Sequence, residues 1–304
     1  MSGTVHIVGA GVAGLAAAVA LCRSARAVVV HEATAHPGGR CRSYHDRSID
    51  MMIDNGNHLV LSGNRAVRGY LREIGSEMGL IGPDAADFPF VDLASGRRWT
   101  LRINDGRLPW WMFDRDRRVP DTSLRDYLRL LPLLSASKDA TVCDTIRCDG
   151  PLYERLIHPL LLAALNIDPQ EGSAGLGAAI VRETLLAGGA ACRPLIAREG
   201  LGPVFIEPAL RHLKEHGATV RLEHELRALR FAGDGIGELD FGGDVVTLGK
   251  ADAAVLAVPA HTAAMLLPGV STPTTYRSIA NAHFRCEVPA AVVPMTAVLN
   301  ATTE

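Results

Sequence analysis

The run Gly9-Ala10-Gly11-Val12-Ala13-Gly14 constrains this chain more than any other stretch. It follows a short apolar segment of strand type, Thr4 to Val8, and leads into Leu15 to Cys22, rich in the strong helix formers alanine and leucine. A second apolar run, Ala27 to Val30, ends at Glu32. Strand, glycine turn, helix, strand and acid, in that order, are the parts of a dinucleotide-binding βαβ unit. Gly9 is expected to make the tight turn, Gly11 to let the backbone approach a pyrophosphate, and Gly14 to let helix and strand pack closely. Ala13 lies in the first helical turn, whose free N–H groups and positive dipole end suit phosphates. Glu32, eighteen residues past Gly14, is placed to accept from ribose hydroxyls, which favours FAD or NAD over NADP.

The next stretch, Pro37-Gly38-Gly39-Arg40-Cys41-Arg42-Ser43, decides between the two. With it the chain resembles the flavin-dependent amine oxidase and phytoene desaturase superfamily, whose N-terminal signature is a glycine fingerprint, an acid ending the second strand and then Gly-Gly-Arg. The resemblance implies FAD, with Gly39 passing the pyrophosphate and Arg40 neutralising it. A planar guanidinium matches a diphosphate, and glycines permit the close approach. Further on, Asp54-Asn55-Gly56-Asn57-His58 looks most like the squalene-associated branch, the hydroxysqualene dehydroxylases. In the superfamily this loop returns along the flavin ring, so the resemblance makes His58 the first and Asp54 the second candidate catalytic residue. The bland alternatives stay open: Asn55-Gly56 is a common turn pair, Asp54 could cap the turn, and His58 could be structural.

The chain has 304 residues, is 48% hydrophobic and only 21% charged, and carries a formal net charge of −2. It is long enough for two domains with a large core, and its charge gives no electrostatic case for nucleic acid. Six cysteines show no CxxC pair and read as reduced thiols of a cytoplasmic protein; no metal site is expected. The apolar start lacks a basic leader region, and no other run is long and apolar enough to span a membrane.

In chain order, an amphipathic helix is expected from Asn64 to Gly75, then a hairpin of Phe88–Leu93 and Trp99–Ile103. Residues 97–129 hold all three tryptophans and nine arginines against five aspartates. We favour an aromatic cluster packed in the second domain with a solvated arginine rim, although tryptophan with arginine also suits peripheral contact with a membrane. Helices are expected over Ser123–Ser135, Pro151–Asn166 and Ser173–Leu186, the second apolar on most sides and fit to line an apolar cavity. A helix from Val204 to His216 and strands over Thr219–Leu222 and Leu226–Phe231 reopen the nucleotide domain. There the resemblance makes Leu226 the residue whose backbone contacts adenine. A hairpin spans Asp240–Leu248, a buried strand Asp252–Pro259, a helix Ala260–Leu267, and two last strands Ala282–Val288 and Val292–Leu299.

The expected architecture is α/β: a discontinuous Rossmann-type FAD-binding domain (1–75 and 196–270) with an inserted α+β substrate domain (76–195), and residues 271–304 starting its return strands. The superfamily's late FAD motif is not found, so the resemblance covers about three quarters of a family member and the chain reads as C-terminally truncated. The implied activity is FAD-dependent reductive dehydroxylation of hydroxysqualene to squalene, with an isoprenoid lipid as partner and a reduced nicotinamide cofactor or a carrier protein as electron donor. The alternatives are a desaturase of carotenoid precursors, or a non-catalytic nucleotide-binding remnant.

Overall fold

A computed structural model describes residues 3–24, 26–56, 58–137, 139–233, 235–287 and 295–300. Strand β1 (Thr4–Val8), helix α1 (Val12–Leu21) and strand β2 (Ala27–His31) form the expected βαβ unit. β1 is the centre of a four-stranded parallel sheet in the order Thr219–Arg221, β2, β1, Ala253–Leu256. Both faces of this sheet are covered, as parallel sheets require. On one face, Val5, Ile7, Val28 and Val30 pack under α1 and the Glu207–Glu215 helix. On the other, Val8 packs against Leu239 of the three-stranded antiparallel sheet Ala228–Ala232, Gly235–Asp240, Val245–Thr247, against Leu226 and Phe241 just outside its strands, and against Leu266 of the Ala260–Leu266 helix.

A second core cluster is built from residues 86–192 together with Leu299. Its sheet is the hairpin Ala86–Asp92 and Arg98–Ile103, joined in parallel by Ala297–Leu299. Trp111 is fully buried here against the edge of Tyr127, and Trp99 stacks on Phe90. The two clusters meet where Val60–Leu61 and Leu80–Ile81 both pair with Pro194–Ala197, a strand that the sequence pattern did not suggest.

Prolines account for most differences from the expected helices. Ser123 opens a helix with a capping box to Asp126, but the α-helix is confined to Leu124–Leu128; Pro132 cannot donate to Leu128, and a 3₁₀ turn, Leu131–Ser135, follows. The Pro151–Asn166 segment contains a π turn, Tyr153–Ile157, before Pro159 and ends at Asn166 in the left-handed conformation. A second π turn, Gly202–Ile206, precedes the helix carrying Pro208. The carbonyls freed there find side chains on helix α2 (Arg65–Glu73) and just beyond it: Ser76 Oγ donates to Val204 O and Tyr70 Oη to Phe205 O, each at 2.7 Å. The expected Leu226–Phe231 strand begins at Ala228. The expected Ala282–Val288 strand is absent from its described residues 282–287, which extend without a pairing partner in any sheet; Val288 and most of the lead into Ala297–Leu299 lie outside the described residues.

The thiol expectation is corrected as well: Cys143 and Cys148 form a disulfide, their Cα atoms 5.6 Å apart across the short Val142–Thr145 helix. A one-turn helix brings an i, i+5 pair within bridging distance, a spacing that a search for CxxC does not see.

A buried chain of imidazoles crosses the nucleotide sheet. His6 Nδ1 lies 3.0 Å from His31 Nε2, His31 Nδ1 lies 2.9 Å from His224 Nδ1, and Phe241 packs on the His31 and His224 rings. Burial, and then repulsion from a charged His6 or His224, lowers the His31 pKa from 6.5 to about 3. Arg221 also disfavours its protonation, while Asp244 favours it. The unfolded chain therefore binds a proton near pH 6.5 that the folded chain binds only near pH 3. Stability from neutral His31 is complete above pH 6.5 and is lost as pH falls towards 3. In urea melts across this range the midpoint is expected to drop. His31→Phe should flatten that dependence while losing about 1–3 kcal/mol at neutral pH, because His6 and His224 lose a buried partner.

Candidate cofactor site

The site is built where the glycine loop leaves β1. Gly9 has φ +105°, and a Cβ there would sit 2.4 Å from the Ala257 carbonyl oxygen, so only glycine fits. Gly14 is held as tightly: its Cβ would lie 1.8 Å from Gly9 O. At Gly11 an added Cβ meets nothing within 4 Å. The space above Gly11 is open, and the N-terminus of α1 faces it with no side-chain cap and no acid in its first turn. The backbone N–H groups there, with Ala13 exposed beside them, need partners from outside the helix.

The Gly-Gly-Arg turn docks directly on this loop. Gly38 N donates to Ala10 O at 2.8 Å, and Gly11 and Gly38 form a parallel bridge. Gly39, at φ +55°, is so close that its Cβ would stand 3.6 Å from Gly11 Cα. Arg40 is exposed and has no hydrogen bond or ion pair among the described residues. Open glycine backbone and uncapped helix N–H groups thus share one volume, and the next residue after Gly39 carries an unpaired guanidinium, a donor set that matches a diphosphate.

Glu32 has a structural task that its motif position did not reveal. It is buried, its Oε2 accepts from Ala10 N at 2.8 Å, and its Oε1 accepts from Thr34 N and Thr34 Oγ at 3.0 and 2.9 Å. Those bonds fix the glycine loop and leave acceptor capacity on Oε2 for a ribose hydroxyl. Leu226 packs its side chain into the core beneath the sheet, just before the Ala228–Ala232 strand. Its main-chain N–H and C=O take no hydrogen bond among the described residues, which suits contact through the backbone.

The two candidate catalytic residues are placed differently. Asp54 ends the hairpin of Ser43–Asp46 and Met51–Asp54. Its Oδ1 accepts from Ser43 Oγ at 2.5 Å and from Leu201 N at 2.8 Å, and Ser43 Oγ accepts from Gly202 N at 2.8 Å. The pair caps the start of the Gly202–Glu215 helical segment from a distant part of the chain; Gly200, at φ +104°, allows the approach. His58 is exposed, with its Nε2 and the Asn281 amide both beside Gly56.

Three comparisons with known proteins agree with this geometry. The flavin containing amine oxidoreductase family matches residues 12–290. The hydroxysqualene dehydroxylase of Rhodopseudomonas palustris is 58% identical over 305 residues, covering 100% of this chain and 73% of that protein. That of Zymomonas mobilis is 42% identical over 299 residues, covering 98% of this chain and 72% of its own length. Among solved structures, an oxidoreductase from Methanosarcina mazei superposes with TM-score 0.64 at 14% identity over 88% of this chain, and wild-type putrescine oxidase bound to putrescine with 0.62 at 18% over 88%. The chain spans 62% and 60% of those two structures' lengths, and at such identity they speak for the fold alone.

Arg40→Ala is expected to weaken FAD binding by about 1.5–3 kcal/mol through the lost charge-assisted contact, with no change in the melting temperature of the ligand-free protein. Glu32→Ala should lower both, because the glycine loop loses its anchor. Flavin titration beside thermal unfolding separates the two roles; unchanged FAD affinity in Arg40→Ala would remove Arg40 from the diphosphate site.

Proposed function

This chain belongs to the flavin containing amine oxidoreductase family, within its hydroxysqualene dehydroxylase branch, and on that premise we propose that it removes the hydroxyl of hydroxysqualene reductively to give squalene. The observation that carries the reading is 58% identity to a hydroxysqualene dehydroxylase along the whole of this chain. It is an FAD-dependent oxidoreductase, and Gly11, the first turn of α1 at Ala13, Gly39, Arg40, Glu32 and Leu226 are the residues that would hold the cofactor. When bound, the reduced flavin supplies the hydride that replaces the hydroxyl. Overall a C–O bond breaks, a C–H bond forms, and the hydroxyl leaves as water after taking one proton.

The chain's own tasks are orientation, exclusion of water and delivery of that proton. Asp54 is poorly suited to the last, because its carboxylate is committed as an acceptor to Ser43 and Leu201. His58 is the better donor: its Nε2 lies beside Gly56 at the surface of the same loop. The apolar stretch of the substrate would lie along the segment ending in the His158–Leu165 helix, which exposes Leu162 while Leu161 is buried. Leu108, Trp110 and Phe113 are also exposed, Arg117 covers the Trp110 ring at 4.6 Å, and these groups suit peripheral contact with the membrane that dissolves such a lipid. Among the described residues no helix is long and apolar enough to cross a membrane.

Incubating the flavin-loaded protein with hydroxysqualene and a chemical reductant should give squalene. A dehydrogenated polyene from a carotenoid precursor would favour the desaturase alternative, and no turnover of either would favour the non-catalytic one. His58→Gln is expected to cut kcat by about 10²–10⁴-fold with FAD retained. Leu160→Asp should impair turnover by placing an unpaired charge in an apolar wall; normal turnover in that folded variant would take the helix away from the substrate.

A further inference from the structure

The last turns of α1 and of the Glu207–Glu215 helix meet at a cluster that the flavin chemistry does not use. Cys22, His212 and His216 each offer a ligand atom there, and the three atoms lie within 4.8 Å of one another. Cys22 and His212 are buried; His216 is exposed. His212 is only 8% exposed, yet its Nε2 is buried without a hydrogen-bond partner among the described residues. A buried imidazole nitrogen without a partner is costly, and the groups within ligand distance of it include a thiol and a second imidazole.

The geometry prepares these groups as ligands. His212 and His216 are four residues apart on one helix face, their rings stacked with centroids 4.2 Å apart. His216 Nδ1 lies 2.8 Å from the His212 carbonyl oxygen, so that carbonyl accepts from Nδ1–H and leaves the Nε2 lone pair free. This arrangement orients metal-binding histidines elsewhere. Cys22 Sγ donates to Val19 O at 3.2 Å and would exchange that proton for an ion. The Arg23–Glu73 ion pair borders the site. A tetrahedral Zn²⁺ holds sulfur at about 2.3 Å and nitrogen at about 2.0–2.1 Å, which asks for ligand atoms about 3.3–3.6 Å apart and so for only small side-chain rotations here.

We propose that Cys22, His212 and His216 form a binding site for a borderline-soft divalent cation, Zn²⁺ in particular, that pins the nucleotide-binding helix to the Glu207–Glu215 helix. Thiolate with imidazole selects such ions over Mg²⁺ or Ca²⁺. Cys22 stands eleven residues beyond Gly11, about 16 Å along the helix at about 1.5 Å per residue, so the ion sits at the end of α1 away from the phosphates. Solvent on the His216 side completes its coordination.

The test is a Co²⁺ titration of the full chain, flavin-free and with its free thiols kept reduced. One equivalent should bind with a thiolate-to-cobalt charge-transfer band, and Zn²⁺ should displace it. The band should vanish in Cys22→Ser and persist in Cys286→Ser, a control at an exposed free cysteine. His216→Ala, at an exposed position that leaves the fold intact, should lower affinity by more than about tenfold. Zn²⁺ should raise the unfolding temperature of the parent and not that of His216→Ala. No band, a band that survives Cys22→Ser, or equal affinity in His216→Ala would each overturn the site.

Discussion

The carboxylate of Glu32 is the contact on which the nucleotide domain depends. It accepts from Ala10 in the glycine loop and from Thr34 after β2. Its own main chain joins the neighbouring segment, donating to Arg221 O and accepting from His224 N, both at 2.8 Å. Three pieces of chain are therefore tied at one residue. A buried carboxylate is costly unless its oxygens are satisfied, and here that requirement holds the loop in the shape that leaves Gly11 open. Loop architecture and the proposed ribose contact share one side chain.

The same economy recurs where prolines interrupt helices. Pro208 would leave carbonyls of the preceding turn without donors, and Ser76 and Tyr70 meet two of them. Those hydroxyls come from α2 and the turn after it, so the gap left by a proline becomes a tertiary contact between segments more than a hundred residues apart. Asp54 and Ser43 act similarly at the start of that helical segment. The effect is to lock the Gly-Gly-Arg turn, the hairpin after it and the return helix into one framework around the proposed diphosphate position.

The tryptophans of the aromatic segment divide between the core and the surface. Trp111 and Trp99 are core, whereas Trp110 and Phe113 face outwards. Alternate placement of neighbouring aromatics in a 3₁₀ turn, Trp110–Phe113, puts one ring inside and the next outside.

The sequence by itself determined the βαβ unit, its glycines and its acid, because each is fixed by local geometry: a tight turn, a close helix–strand approach, a short range in chain separation. Most strands of the nucleotide sheet were legible too, since a strand buried on both faces must be continuously apolar. What tertiary structure alone decided involves partners distant in sequence. The hold of Glu32 on the glycine loop, the capping role of Asp54, the imidazole chain through His6, His31 and His224, and the meeting of Cys22 with His212 and His216 all join residues far apart in the chain. The strand Pro194–Ala197 was missed because four residues beginning with proline carry no period of their own; its two partners define it. Hydrophobic periodicity reports which face is buried, not which distant side chain arrives there, and at a buried polar group that arrival decides the chemistry.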